Sequence, residues 1–274
     1  FPERIGRLVL DGATDPTATE ADVVREQTLG FEAALRTYAA ARLSRDDCPL
    51  RGSVDQAMAQ IGALIDRVDR APLTASDGRM LGADTMLTAI ITPLYSQVNW
   101  PYLDDLFATV AAGDADTAFF LADYYYDRVD GKYQTNLTEA FLAINCLDYP
   151  RGAELDVAAM RAQAAELAAI APTIGRFQGY GDTFCANWPE PAVESREAVR
   201  AAGADPILVV GTTGDPATPY RWAVSLAQQL ESGVLVTYHG EGHTAYGEDA
   251  CVDAVIEDYF VRGAVPTSDP NCAA

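Results

Sequence analysis

The sequence predicts an α/β fold, a parallel sheet interrupted by a large, mainly helical insertion. Three observations predict it. Near the N terminus Leu8-Val9-Leu10 is a short apolar run that stops at Asp11-Gly12, as a buried strand entered from a loop does. From about Thr19 to Ala171, apolar residues recur at spacings of three and four, as in Met58, Ile61, Leu64, Ile65 and Val68. After Trp188-Pro189-Glu190-Pro191, strand-like and helix-like segments alternate with short connections, the signature of parallel strands joined by helices.

Taken in order, Asp15-Pro16-Thr17 opens the helical region, whose punctuation falls at Cys48-Pro49, Ala71-Pro72, Asn99-Trp100-Pro101, Gly113-Asp114 and Tyr149-Pro150. Tyr124-Tyr125-Tyr126 lies inside it; aromatics on a helix read first as core and second as the lining of a cleft. Asn136-Leu137-Thr138 matches a glycosylation acceptor, a pattern too short to carry function. Next, Ile207-Leu208-Val209-Val210 has strand length and leads into the loop Gly211-Thr212-Thr213-Gly214-Asp215-Pro216-Ala217-Thr218-Pro219. Trp222, Ala223, Leu226, Ala227 and Leu230 mark a helix that Gly233 ends, and Val234 to Tyr238 is a second strand. It runs into His239-Gly240-Glu241-Gly242-His243, a loop, before a last helix marked by Val252, Val255, Ile256, Tyr259 and Phe260. The expected organisation is a core piece over 1–15, a helical insertion over 16–187, and a second core piece over 188–274.

Composition narrows the function. The 274 residues are 49% hydrophobic, ample for a buried core, and 19 Lys and Arg stand against 40 Asp and Glu, a net charge of −21. Such a surplus repels phosphate backbones and anionic membranes, which argues against nucleic acid as a partner. No apolar run approaches the roughly 20 residues that span a bilayer. The opening residues, FPERIGRLVLDG, read as the middle of a domain, so a processed or truncated chain is expected.

The five cysteines, at 48, 146, 185, 251 and 272, form no C-x-x-C pair and no zinc-finger spacing. Disulfides are the better reading. Cys251 lies near a helix start and Cys272 in the polar tail, so a bridge would pin the C terminus. The same logic can join Cys146 to Cys185. Cys48 is left over, as a free thiol or a partner for something upstream; five reduced, buried thiols are the alternative. Disulfides imply an oxidising, extracytoplasmic compartment, secreted or in the cell envelope.

Both histidines of the chain sit in the HGEGH stretch. Helical i, i+4 spacing would suit zinc, but Gly240 and Gly242 break a helix, and in a loop that spacing loses its meaning. Ligands of open α/β sheets bind beyond the carboxyl ends of strands, and two loops of this chain end strands there. One carries Asp215 and the other His243, in the chain order acid then base of hydrolases whose serine comes first. A carboxylate beside His243 would fix its tautomer and stabilise the imidazolium. His239 reads as structural or solvated, and Glu241 as a surface carboxylate.

These residues carry a family resemblance. Pro206 to Val210, Gly214-Asp215-Pro216-Ala217-Thr218-Pro219, Trp222-Ala223, Gly242-His243, Cys251, Gly263, Pro266 and Cys272 look like the C-terminal segment of the actinobacterial tripeptidyl aminopeptidases. These are secreted or envelope-associated α/β-hydrolases of the proline-iminopeptidase type, which include mycobacterial carboxylesterase-like serine proteases. The similarity extends to Phe1-Pro2, to Arg4-Ile5 through Asp11-Gly12, and to Tyr95-Ser96, Trp100-Pro101 and Ala143-Ile144-Asn145-Cys146. It implies the C-terminal part of an α/β-hydrolase fold, with Asp215 as triad acid, His243 as base and the helical insertion as a lid.

That pattern also requires a serine in a G-x-S-x-G elbow, and none of the serines at 44, 53, 76, 96, 195, 225, 232 and 268 has one. Ser76 comes nearest, with Gly78 after it, but Thr74 replaces the first glycine and no strand is expected before it. The resemblance therefore implies that the nucleophile, the first strands and the oxyanion loop lie upstream, on a segment that completes the sheet. The expected function is a serine hydrolase that releases short peptides, tripeptides above all, from free N termini, with no cofactor. The alternatives are a carboxylesterase acting on acyl esters and a catalytically inactive fragment or binding module. Recognition of an α-ammonium calls for lid carboxylates, for which Asp104, Asp105, Asp123 and Asp127 are candidates, most of them read as a solvated face.

Overall fold

A computed structural model describes residues 1–150 and 155–273. The chain divides into two compact units, Phe1–Gly30 with Ser195–Ala274, and Phe31–Glu194. In chain order the elements are β1 (Leu8–Asp11), α1 (Glu20–Arg42), α2 (Val54–Arg70), β2 (Leu73–Thr74), β3 (Met80–Leu81), α3 (Ala83–Leu94), α4 (Pro101–Ala112), α5 (Asp116–Tyr125), β4 (Arg128–Val129), β5 (Lys132–Tyr133), α6 (Leu137–Asp148), α7 (Val157–Ile170), β6 (Ile207–Gly214), α8 (Tyr220–Gln229), β7 (Gly233–Glu241), α9 (Ala250–Arg262) and β8 (Asn271–Ala273).

In the first unit the strands lie in the order β1-β6-β7-β8, every pair parallel. Ile207 to Val210 form a run without polar residues because β6 is buried on both faces. One face carries Leu208, Val210, Val236 and Tyr238 against Val252, Ile256 and Tyr259 of α9. On the other, Ile207 and Val209 meet Ala223 and Leu226 of α8, with Leu8, Leu10 and Leu235 beside them. Tyr259 ties the sheet together: its hydroxyl accepts the Leu8 amide at 2.9 Å and donates to the Pro206 carbonyl at 2.6 Å.

Several boundaries differ from the sequence reading. Strand β6 continues through Gly211-Thr212-Thr213-Gly214, where glycines and threonines look like loop; pairing with β7, not side-chain pattern, holds them extended, with a register shift between Thr212 and Gly214. By the same pairing β7 runs to Glu241, so the first three residues of HGEGH are strand rather than loop. Gly233 opens β7 instead of ending α8, which stops at Gln229. The polar tail holds a strand, β8, paired to Thr237, Tyr238 and His239.

Among the described residues, the second unit is helical apart from two short hairpins and its loops. Helix α2 starts with a reciprocal capping box, in which Ser53 and Gln56 satisfy each other's backbone amides, and buries Met58, Ile61, Ile65 and Val68 at helical spacing. The expected core role of the tyrosine run does not hold. Helix α5 buries Ala118, Phe119, Leu121 and Ala122, while Tyr124 and Tyr125 are exposed on its last turn and Tyr126 is half-buried. Ser76 sits in the β2–β3 hairpin, where its amide donates to Asp116 at 2.7 Å, so a strand does precede it, but in a hairpin rather than a strand-to-helix elbow.

Two of the four acidic candidates in this unit are not a solvated face. Asp104 is buried, accepts the Tyr38 hydroxyl at 2.6 Å and pairs with Arg42. Asp123 takes a two-pronged bond from Arg79, at 2.7 and 2.8 Å, and a further contact from Arg128. Asp105 is exposed and Asp127 half-buried.

Disulfides join Cys146 to Cys185 and Cys251 to Cys272, and Cys48 is a buried free thiol. The first closes a 39-residue separation across α6 and α7. Replacing both of its cysteines with serine should cost about 2–4 kcal/mol, chiefly by freeing the unfolded chain, and should lower the urea midpoint without altering the first unit's sheet.

Candidate functional site

The acid loop is built by short-range bonds. Asp215 follows β6, and its Oδ1 accepts the amides of Ala217 and Thr218, both at 2.8 Å, a local turn that Asp favours. Pro216 and Pro219 fix φ on either side. Helix α1 braces the loop from outside. Gln27 donates to the Ala217 carbonyl at 2.7 Å, and Gly30 lies so close to Pro216 that a Cβ there would stand 2.6 Å from its carbonyl oxygen. Only glycine fits at that crossing.

The histidine loop leaves the end of β7. Gly242 has φ of 110° and Thr244 of 70°, so the chain turns through left-handed conformations on both sides of His243. The Thr244 amide donates to Asp215 Oδ2 at 3.3 Å, and the Thr244 carbonyl accepts the Thr212 hydroxyl at 3.2 Å. The two sequence-derived candidates are brought together: His243 Nδ1 lies 2.9 Å from Asp215 Oδ2 and 3.2 Å from Oδ1. Thr218 completes the contact, its hydroxyl donating to Oδ2 at 2.9 Å and lying 3.1 Å from Nδ1. In the sequence Thr218 reads only as part of the acid loop, with no role of its own, because its contact with His243 depends on the loop after a later strand.

Asp215 has a side chain only 1% exposed, whereas the imidazole of His243 is 28% exposed. Burial by itself pulls the His243 pKa down, but the hydrogen bond and charge of Asp215, with the charge of Asp11, outweigh it and raise the pKa above its ordinary value. With Nδ1–H donated to Asp215, the neutral ring carries its lone pair on Nε2. This is the arrangement of a general base. Because the folded pKa is raised, the pair contributes stability that is fully present below about pH 6.5 and is lost as pH rises through the folded value. Proton NMR should find His243 titrating above 6.5; a midpoint below 6.5 would contradict the pairing.

The other members of HGEGH separate from it. His239 is exposed on β7, with Nε2 3.3 Å from Asn271 Oδ1. Glu241 lies against Gly214, and burial raises its pKa. Among the described residues, the single cluster of three potential metal ligands is Asp249, Cys251 and Cys272, and its two sulfurs are bonded to each other, which removes the thiolates a metal would need. Neither histidine belongs to it.

Residues 171–272 match the family described as TAP-like protein. The chain is 34% identical over 282 residues to the serine protease Hip1 of Mycobacterium tuberculosis, covering 99% of this chain and 54% of that protein. It is 37% identical over 279 residues to carboxylesterase B of the same organism, covering 100% of this chain and 53% of the relative. Over residues 171–272 the chain is similar to the TAP-like α/β-hydrolases. The tripeptidyl aminopeptidase of Streptomyces coelicolor is a more distant relative, 21% identical over 278 residues and covered to 50%. The chain spans about half the length of these relatives. The fold agrees with the family: the match takes in β6, α8, β7 and α9 and the loops between them that carry Asp215 and His243.

Proposed function

We propose that this chain carries the acid and base of a serine hydrolase, Asp215 and His243, and that their nucleophilic serine lies on a segment upstream of Phe1. The observation that carries the reading is the 2.9 Å bond from His243 Nδ1 to a carboxylate that is itself held by three backbone amides and a threonine hydroxyl. A carboxylate so fixed orients the ring and favours its charged form at the moment the base takes a proton. His243 takes the serine proton as the serine attacks the substrate carbonyl, and returns it to the leaving group. The acyl-enzyme is then hydrolysed by water that His243 deprotonates. No cofactor enters this chemistry.

The upstream segment is proposed to pair with β1, an edge strand whose four residues are all half-buried. Parallel strands of this kind are usually covered on both sides. The helical insertion is proposed as a lid. The two disulfides favour a secreted or envelope-bound protein, and among the described residues no helix is long and apolar enough to cross a membrane.

The substrate proposed is a peptide with a free N terminus, from which a tripeptide is released. Asp104 and Asp123 spend their charge on arginines, which leaves Asp105 and Asp127 as the better ammonium receptors of the four. A carboxylesterase is the second reading, favoured by the 37% identity to carboxylesterase B. The test uses the serine-bearing protein with a tripeptide nitroanilide, its N-acetylated form and a p-nitrophenyl ester. Selective turnover of the free-amine peptide supports the peptidase. Equal turnover of both peptides, or turnover of the ester alone, turns the reading to the esterase. No turnover of any of them favours an inactive binding module.

A further inference from the structure

We infer that Asp11, at the tip of β1, is a positioning residue that clamps the loop after His243 and supplies a second negative charge to the imidazole. The inference rests on the reading of His243 as the base.

The geometry is specific. Asp11 accepts the Ala245 amide through both oxygens, at 3.2 and 3.0 Å, and the Tyr246 amide at 2.9 Å. These amides follow His243 by two and three residues, immediately past the left-handed Thr244. A backbone held in that conformation persists only where its surroundings fix it. Two of its anchors are the bonds of Thr244 already described; Asp11 anchors the next two amides, from a strand more than two hundred residues away in sequence. The tip of β1 also touches the ring. Gly12, with φ of 67°, would place a Cβ 2.9 Å from His243 Cε1, so glycine lets the tip close under the imidazole.

Asp215, from the loop after β6, and Asp11, from β1, both act on the ring as charges; the Thr218 hydroxyl beside Nδ1 is neutral. The Asp11 charge works in the same direction as that of Asp215, against the burial of the ring. Its contribution differs in kind, because its oxygens bond backbone and not imidazole. Asp11 therefore does two things at once: it sets where the ring sits and biases its charge.

The test is a proton NMR titration of the serine-bearing protein. His243 is assigned by substitution, and His239 on β7 serves as an internal reference. Asp11→Asn keeps the side chain's shape and removes its charge, so the His243 midpoint should fall by about half a pH unit or more while His239 stays. An unchanged His243 midpoint in a folded Asp11→Asn chain overturns the inference. Asp215→Asn in the same titration separates the two readings: if it lowers the His243 midpoint and Asp11→Asn does not, the Asp11 inference alone fails. If neither does, the pairing of acid and base fails with it. The unmodified chain gives a reading that needs no variant: the Ala245 and Tyr246 amides should exchange slowly at neutral pH, and rapid exchange of both would count against the clamp. In the serine-bearing protein, Asp11→Asn should move the acid limb of the kcat profile to lower pH at unchanged KM, a change that a purely structural brace would not produce.

Discussion

Asp215→Ala is expected to be the most damaging single substitution in the chain, in stability and in chemistry. It removes the acceptor for the amides of Ala217, Thr218 and Thr244, for the Thr218 hydroxyl and for His243 Nδ1. The carboxylate is almost wholly buried, so water cannot replace it without opening the loop. Buried donors left unpaired cost about 1–3 kcal/mol each, and a loss on the order of 3–5 kcal/mol is expected once the loop relaxes. In the serine-bearing protein kcat should fall about 10⁴-fold, the scale seen when a triad carboxylate loses its charge. Asp215→Asn separates the two effects: it fills the same space and keeps an oxygen for the amides, but its NH₂ cannot accept from Nδ1–H. Stability should therefore recover more than activity does. Chemical denaturation and kcat, measured on both variants, check this; equal recovery of both quantities would contradict it.

Asp104→Ala is expected to have the largest effect on the helical unit. Tyr38 is fully buried, and its hydroxyl donates to Asp104 at 2.6 Å; Arg42, with a side chain 12% exposed, pairs with the same carboxylate. Burial, and then the neighbouring carboxylate, keeps the Tyr38 phenol firmly protonated, so it stays a donor at every accessible pH. Deleting the acceptor strands the phenol in the interior and leaves the guanidinium to the exposed Asp47 carboxylate, 3.7 Å away. Breaking one side of such a buried pair costs about 3–5 kcal/mol. The double variant Asp104→Ala with Arg42→Met should recover part of that loss, because the charge that lost its buried partner goes too. A shift of the urea midpoint equivalent to less than about 1 kcal/mol for the single variant would show the network to be dispensable.

What the sequence made legible was whatever depends on local pattern. The apolar run at Ile207 to Val210, the period of α2 and α9 and the Asp-Pro turn after β6 each carry their own signal, and so did the pairing of Cys251 with Cys272. From these, Asp215 and His243 could be placed at the ends of neighbouring strands, and the structure sets them in hydrogen-bond contact. What stayed hidden depends on partners distant in sequence. Gly211 to Gly214 look like loop and become strand only because β7 lies beside them. Asn271-Cys272-Ala273 look like a polar tail pinned by a bridge and become strand only because β7 lies beside them. Asp104 and Asp123 look like solvated acids until Arg42, Arg79 and Arg128 fold against them. Asp11 reads in the sequence only as the end of the first strand, and its bonds to Ala245 and Tyr246 exist only in three dimensions.

The central claim is that Asp215 and His243 serve a serine outside residues 1–274. Covalent labelling of the serine-bearing protein with a fluorophosphonate, followed by mapping of the modified peptide, tests it most directly. The account predicts a single labelled serine upstream of Phe1, with labelling slowed severely by His243→Ala. A label on one of the serines within this chain, or no label in a protein that still hydrolyses its substrate, would contradict it.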